Sequence, residues 1–213
     1  MSTCSPTQTL SPPSPEIVAR VLRGAWFGVM LGLSIEGMLL AIQFLQGQLP
    51  ESVRIVADTV QKISWSSLVC ATLAAGQAVT RGKLAMAGVI GLLGAPVAFL
   101  LARSLHKAML EILGGEAATA AIPWLGAAIK GVEYALLGAA IIWLAKRDYD
   151  WKPYAFLGAA VGSVTYVLVL LLLPAGGDPL QRAIVEVIHP IGCALAVHAT
   201  TRFSRHLGAG ALG

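Results

Sequence analysis

GAWFGVMLGLSIEGMLLAIQFL, residues 24–45, is an apolar run interrupted by a single charge, Glu36. About 20 mainly apolar residues suffice to cross the hydrocarbon core of a bilayer as one helix. The run therefore reads as a transmembrane helix with an acidic residue near its middle. Arg20 and Arg23 precede it, as expected of an uncleaved signal-anchor. The residues before them, MSTCSPTQTLSPPSP, lack the basic start and apolar core of a signal peptide. They read as a disordered cytoplasmic tail.

The rest of the chain repeats this pattern. Further spans are expected at about 63–80, 84–102, 120–145, 153–173 and 180–201, the first of these being the least apolar. Val53, Val56, Val60 and Ile63 recur at helical spacing. They suggest an amphipathic interfacial piece feeding the second span. A similar piece, about 106–113, leads to a break at Gly114-Gly115.

Composition agrees. Of 213 residues, 56% are hydrophobic and 12% charged, and the mean hydropathy is +0.75. A soluble domain carries about 25% charged residues, so a water-facing shell is hard to build here. The net charge is +4 and the pI about 9.2. The basic residues sit at the ends of apolar runs, where topology accounts for them, and no basic tract reads as a nucleic-acid patch. Cys4, Cys70 and Cys193 form no CxxC pair. The last two fall inside apolar runs, where a thiol acts as a small hydrophobe.

Counting Lys and Arg sets the orientation. With the N-terminus inside, cytoplasmic segments hold Arg20, Arg23, Arg81, Lys83, Lys146, Arg147, Lys152, Arg202 and Arg205 against Glu16, Asp148 and Asp150. The opposite side holds Arg54, Lys62, Arg103, Lys107 and Arg182 against as many acids. Both termini are therefore expected in the cytoplasm, in a multi-pass protein of a cell membrane, the bacterial inner membrane being the expected one.

The expected fold class is an all-α integral membrane protein of six transmembrane helices with a 3+3 inverted-topology repeat. The repeat rests on SIEGMLLA (34–41) against KGVEYALLG (130–138), and APVAFLLA (95–102) against HPIGCALA (189–196). These pairs align Glu36 with Glu133 and Pro96 with Pro190. Lys62 and Lys152 each precede a span at a comparable offset. Three helices per half forces the second half to enter the membrane inverted, as in many transporters. The expected units are a tail at 1–19, halves at 20–113 and 114–203, and a C-terminal tail at 204–213. Gly24, Gly28 and Gly32, then Ala87, Gly91 and Ala95, then Gly158 and Gly162 form small-residue stripes. They are expected to serve close helix packing.

Chemistry is carried by a few residues. Glu36 and Glu133 lie near mid-span, where an ionised group costs at least about 2.5–3.5 kcal/mol. They read either as paired carboxylates binding a cation or relaying protons, or as glue between helices. Lys130 lies three residues before Glu133, on the same face, either as a local ion pair or as a solute contact. Glu186 and His189 form a Glu-x-x-His pair, known from metal sites in helical bundles, although such sites need two copies. His189 is alternatively a titrating group or a partner for a carbonyl that Pro190 leaves free. The tryptophans Trp26, Trp65, Trp124, Trp143 and Trp151 are expected mostly at the interfaces.

No Walker A loop, GxSxG elbow, HExxH or Rossmann fingerprint is present. The expectation is a non-enzyme without cofactor or bound metal. Its function would be that of a small transporter or channel for a cation or proton-coupled small solute, through a central cavity lined by Glu36, Glu133, Lys130, Glu186 and His189. The alternative is a non-catalytic scaffold or assembly subunit of a membrane complex. A remoter third reading is an intramembrane metalloenzyme. The expected partners are the lipid bilayer, the small solute or ion, and a second copy or a membrane-complex partner, with no nucleic acid.

Overall fold

The computed structural model describes residues 14–80, 83–115, 124–147, 149–173 and 178–210, with side chains as far as 202. Six α-helices lie among the described residues: α1 Pro15–Leu45, α2 Ser52–Val79, α3 Leu84–Ile112, α4 Trp124–Ala145, α5 Trp151–Leu172 and α6 Pro179–Gly210. All of these except α2 are long and apolar enough to cross a membrane. The fold is thus all-helical, and its apolar helices are compatible with a multi-pass membrane protein.

Several boundaries differ from those expected. The first helix starts at Pro15, so 15–19 are helical rather than part of a tail. Proline at the first helical position has a preset φ and no N–H to lose. Glu16 then pairs with Arg20 one turn on, at 2.7 Å. The amphipathic pieces at 53–63 and 106–113 are not separate: each is continuous with its span, in α2 and α3. Periodicity shows a polar face but not whether the helix bends there. Likewise α6 continues into the expected C-terminal tail. Cys4 lies outside the described residues.

The break after α3 is where the glycines placed it. Gly114 has φ +76°, and the N–H of Gly115 returns to the Leu110 carbonyl at 2.8 Å. This left-handed residue closes the helix and is strained for any side chain with a Cβ. Gly47 does the same after α1, with φ +69°.

The contacts follow a period of two helices. The even-numbered helices pack on one another, α2 with α4 and α6, and α4 with α6. The odd-numbered ones fill the gaps: α1 between α2 and α6, α3 between α2 and α4, α5 between α4 and α6. Residues 57–78 of α2 and 181–201 of α6 include no exposed position. Ala128, Val132, Leu136 and Trp143 form an outward stripe on α4. The expected inverted repeat would exchange α2 with α5. Yet α2 packs against α1, α3, α4 and α6, whereas α5 packs against α4 and α6 alone among the described residues.

Burial repeats with the same period. Each odd helix buries five positions at a common spacing, Gly24, Gly28, Gly32, Ile35 and Leu39 on α1, Ala87, Gly91, Ala95, Ala98 and Ala102 on α3, and Tyr154, Gly158, Gly162, Thr165 and Val169 on α5; α1 buries Glu36 in addition. Their spacing is identical in all three. Each odd helix lays its small residues on the backbone of the next helix. Gly28 rests on Ser66 and Ser67, Gly91 on Tyr134 and Ala135, Gly158 on Pro190 and Ile191. Within each hairpin the two helices run antiparallel, because the earlier glycine meets the later residue: Gly24 meets Cys70 and Gly32 meets Lys62.

Bonds between the inner helices bring these seats to a common register: His189 meets both Ser66 and Tyr134, and Lys130 meets Glu186. Ser66, Tyr134 and Pro190 share one level. One residue back stand Trp65, Glu133 and His189, and one turn back stand Lys62, Lys130 and Glu186. Three hairpins thus bring their most polar inner residues to the same depth.

The close approaches make a sharp expectation. A Cβ at Gly28 would lie 2.5 Å from the Ser67 Cα, and one at Gly158 would lie 2.5 Å from the Ile191 Cα. Gly37 has nothing within 4 Å of an added Cβ. Unfolding in detergent should show Gly28→Ala and Gly158→Ala each destabilised by about 1–3 kcal/mol. Gly37→Ala should lose nothing.

Candidate functional site

The charged centre is built by α4 and α6. The Lys130 ammonium donates to Glu133 Oε2 at 2.7 Å and to Glu186 Oε2 at 2.5 Å. The first partner lies on its own helix, and the second belongs to a helix of another hairpin. All three side chains are largely shielded, Glu133 completely. With every group ionised the cluster carries one net negative charge. Glu133 Oε1 is buried and has no hydrogen-bond partner.

Beside it lies a neutral network. His189 is engaged at both ring nitrogens, Nδ1 with the Tyr134 hydroxyl and Nε2 with Ser66 Oγ at 3.0 Å. In either tautomer one nitrogen donates and the other accepts, so the ring is held in place. Trp65 stacks on it, centroids 5.4 Å apart and planes 29° from parallel. Tyr134 stands edge-on to Trp65, at 5.7 Å. The next level holds Cys70 and Cys193, both buried, with sulfurs 3.4 Å apart.

Sequence expectation and structure meet unevenly here. Lys130, Glu133 and Glu186 come together. His189 is one turn from Glu186 but faces the aromatic network instead. Glu36 lies elsewhere: it is paired with Lys62 of α2 at 3.8 Å, and its helix does not touch α4. Glu36 and Glu133 therefore belong to separate ion pairs and do not face one another. Trp65 is buried in the core, whereas Trp26, Trp124, Trp143 and Trp151 are exposed. Among the described residues no three His, Cys, Asp or Glu side chains are grouped as a metal ion would need.

Four contributors escaped the sequence reading: Lys62, Trp65, Ser66 and Tyr134. Lys62, Lys130 and Glu186 stand three residues before Trp65, Glu133 and His189 and one turn before the backbone seat of an outer-helix small residue, a seat that the structure discloses and the spacing alone does not.

Polarity around the cluster is one-sided. Towards the N-terminal ends of the even helices, side-chain exposure rises from 0% at Glu133 to 12% at Glu186, 19% at Lys62 and 29% at Asp58. Asp58 itself pairs with His106 of α3 at 2.9 Å. Gln43 reaches Gln181, and Gln46 reaches Asp178, tying the end of α1 to the start of α6. The Gln46 amide, with the backbone N–H of Leu180, holds the Asp178 carboxyl below its usual range. Towards the other end the centre is filled by Leu73, Leu137, Ile141 and Val197. There Gln77 borders a void of about 10 Å³, room for one water molecule, with its Oε1 unpartnered.

No protein-family model, curated protein or solved structure matches this chain.

Removing one member of a buried ion cluster leaves uncompensated charge. Lys130→Met strips both carboxylates of their shared cation. Unfolding of the purified protein in detergent should show a loss of about 3–5 kcal/mol.

Proposed function

We propose that this chain is a small transporter of the bacterial inner membrane, moving a cation or a proton-coupled small solute. In this reading six helices cross the bilayer, and α2 is the sixth span. Its lower hydropathy follows from its position, since an inner helix surrounded by four others need not face lipid. The repeat is one of three parallel hairpins about an axis along the membrane normal, rather than two inverted halves. Parallel repeats of that kind occur among transporters as well. The distribution of basic residues supports a topology with both termini in the cytoplasm, which would turn the more exposed end of the cluster to the opposite side.

The observation that carries the proposal is two carboxyls sharing a single ammonium at the level where three inner helices meet, with one carboxyl oxygen left unpartnered. Packing alone gains little from such a group, because apolar side chains of similar volume are often as stable or more so. Ionisable residues at this depth mark ion or solute pathways by default. Glu133 and Glu186, with Lys130 between them, take the role that spacing suggested for Glu36 and Glu133. Graded exposure on one side and apolar packing on the other suit a pathway closed at one end.

A second reading, a non-catalytic scaffold within a membrane complex, is favoured by that apolar half, where Leu73, Leu137, Ile141 and Val197 pack together. The two readings separate in liposomes containing the purified protein. Transport predicts proton or cation flux above that of empty liposomes, reduced at least tenfold in Glu133→Gln and in Glu186→Gln. Flux that survives both substitutions would remove the cluster from the pathway. Absence of flux under any imposed gradient would leave the scaffold.

A further inference from the structure

We infer that the ion held at the Lys130–Glu133–Glu186 cluster is a proton, carried by Glu133, and not a metal cation. The inference builds on the transport reading by naming its ion. It would stand as a protonation site even if no flux were found.

The Lys130 ammonium already occupies the cluster. A metal cation bound between two carboxylates sits about 2.0–2.6 Å from their oxygens. That space is taken by the Lys130 ammonium, 2.7 Å from Glu133 and 2.5 Å from Glu186. A second cation there would meet a like charge in a medium of low dielectric. Magnesium and calcium also require six or more oxygen ligands. Among the described residues no grouping of three carboxylate, imidazole or thiol side chains offers the start of such a shell.

A proton needs neither space nor a shell. The cluster has one negative charge in excess, and within it Glu133 Oε1 is buried with no donor; outside it, Glu36 Oε2 is likewise buried without a hydrogen bond, but it stands 3.8 Å from its own Lys62 ammonium, one cation to one carboxylate. One proton on that carboxyl makes the cluster neutral. It also replaces a buried anion with a neutral acid, which is far cheaper to hold away from water.

The surroundings permit this. From α4 itself, Lys130 and Tyr134 flank Glu133 on the same helix. From α6 come Glu186, His189 and Cys193. From α2 come Lys62, Ser66 and Cys70: Lys62 is paired with Glu36 of α1, Ser66 is hydrogen-bonded to His189, and the free Cys70 thiol is hydrogen-bonded to that of Cys193. The α3 side is closed by Leu92 and Pro96 against Gly131. On α5, Tyr166 is turned to the Pro179 carbonyl. Access is from Glu186, which is more exposed than Glu133. A proton arriving there passes through the shared ammonium: Lys130 Nζ gives one of its protons to Glu133 and is restored by the Glu186 carboxyl. The net result is one proton moved between carboxyls, with the ammonium unchanged.

The test is infrared difference spectroscopy on the full-length protein in liposomes, stepping the pH without added solute. A protonated carboxylic acid has its own C=O stretching band, which shifts in D2O. The expected result is a band that titrates reversibly, is lost in Glu133→Gln and persists both in Glu36→Gln, the other buried carboxyl, and in the exposed-site control Glu111→Gln. Its titration should not move when sodium, potassium or calcium is added. If Glu133→Gln does not fold, Glu133→Asp keeps the acid and should displace the band's frequency. A band unaffected at position 133, or a titration that sodium or calcium displaces, overturns the inference. A band without flux ends the transport reading and leaves the proton site. Flux without a band ends the proton site and leaves transport.

Discussion

An ammonium group shared by two carboxylates in the middle of an apolar bundle constrains everything around it. Each of these groups is costly in hydrocarbon when alone. Lys130 and Glu133 offset one another on a single helix, but the cluster closes only when Glu186 of α6 is brought to α4. The ion cluster therefore acts as a long-range register mark, aligning the second hairpin with the third. Apolar packing between lipid-like side chains supplies no comparable specificity, because sliding one helix past another changes little in lipid.

That register depends on a second feature, the small residues of the outer helices. Gly28, Gly91 and Gly158 each seat an odd helix on the backbone of its even neighbour. The hairpins are alike in backbone and unlike in the residues they present inward. One contributes Lys62, Trp65 and Ser66, the next Lys130, Glu133 and Tyr134, the third Glu186, His189 and Pro190. A repeated frame with divergent inner residues yields an asymmetric centre: an ion cluster between two hairpins and an aromatic and imidazole network reaching the other.

Much of this was legible in the sequence, and the remainder was hidden for identifiable reasons. Long apolar runs disclosed the helices, and Gly114 disclosed a break, because both are local signals. The small-residue stripes were visible as packing surfaces on the first, third and fifth helices, which is the two-helix period itself. The likeness of SIEGMLLA to KGVEYALLG pointed instead to a three-helix period, yet it compares an outer helix with an inner one. The Lys130–Glu133 pair was readable from its spacing of three. The bond from Lys130 to Glu186 joins residues far apart in sequence, so no spacing could disclose it. Lys62 resembled a topology marker and Trp65 an interfacial anchor, because composition does not say whether a residue near a span's end faces the bundle or the membrane surface.

The most direct measurement of the central claim is a double-mutant cycle between Lys130→Met and Glu186→Gln, read as unfolding free energy in detergent. Contact between the two side chains predicts that their effects are not additive, with an interaction energy of about 0.5–3 kcal/mol. Effects that add to within about 0.3–0.5 kcal/mol would mean that α4 and α6 do not share this ion pair, and the account of the centre would be contradicted.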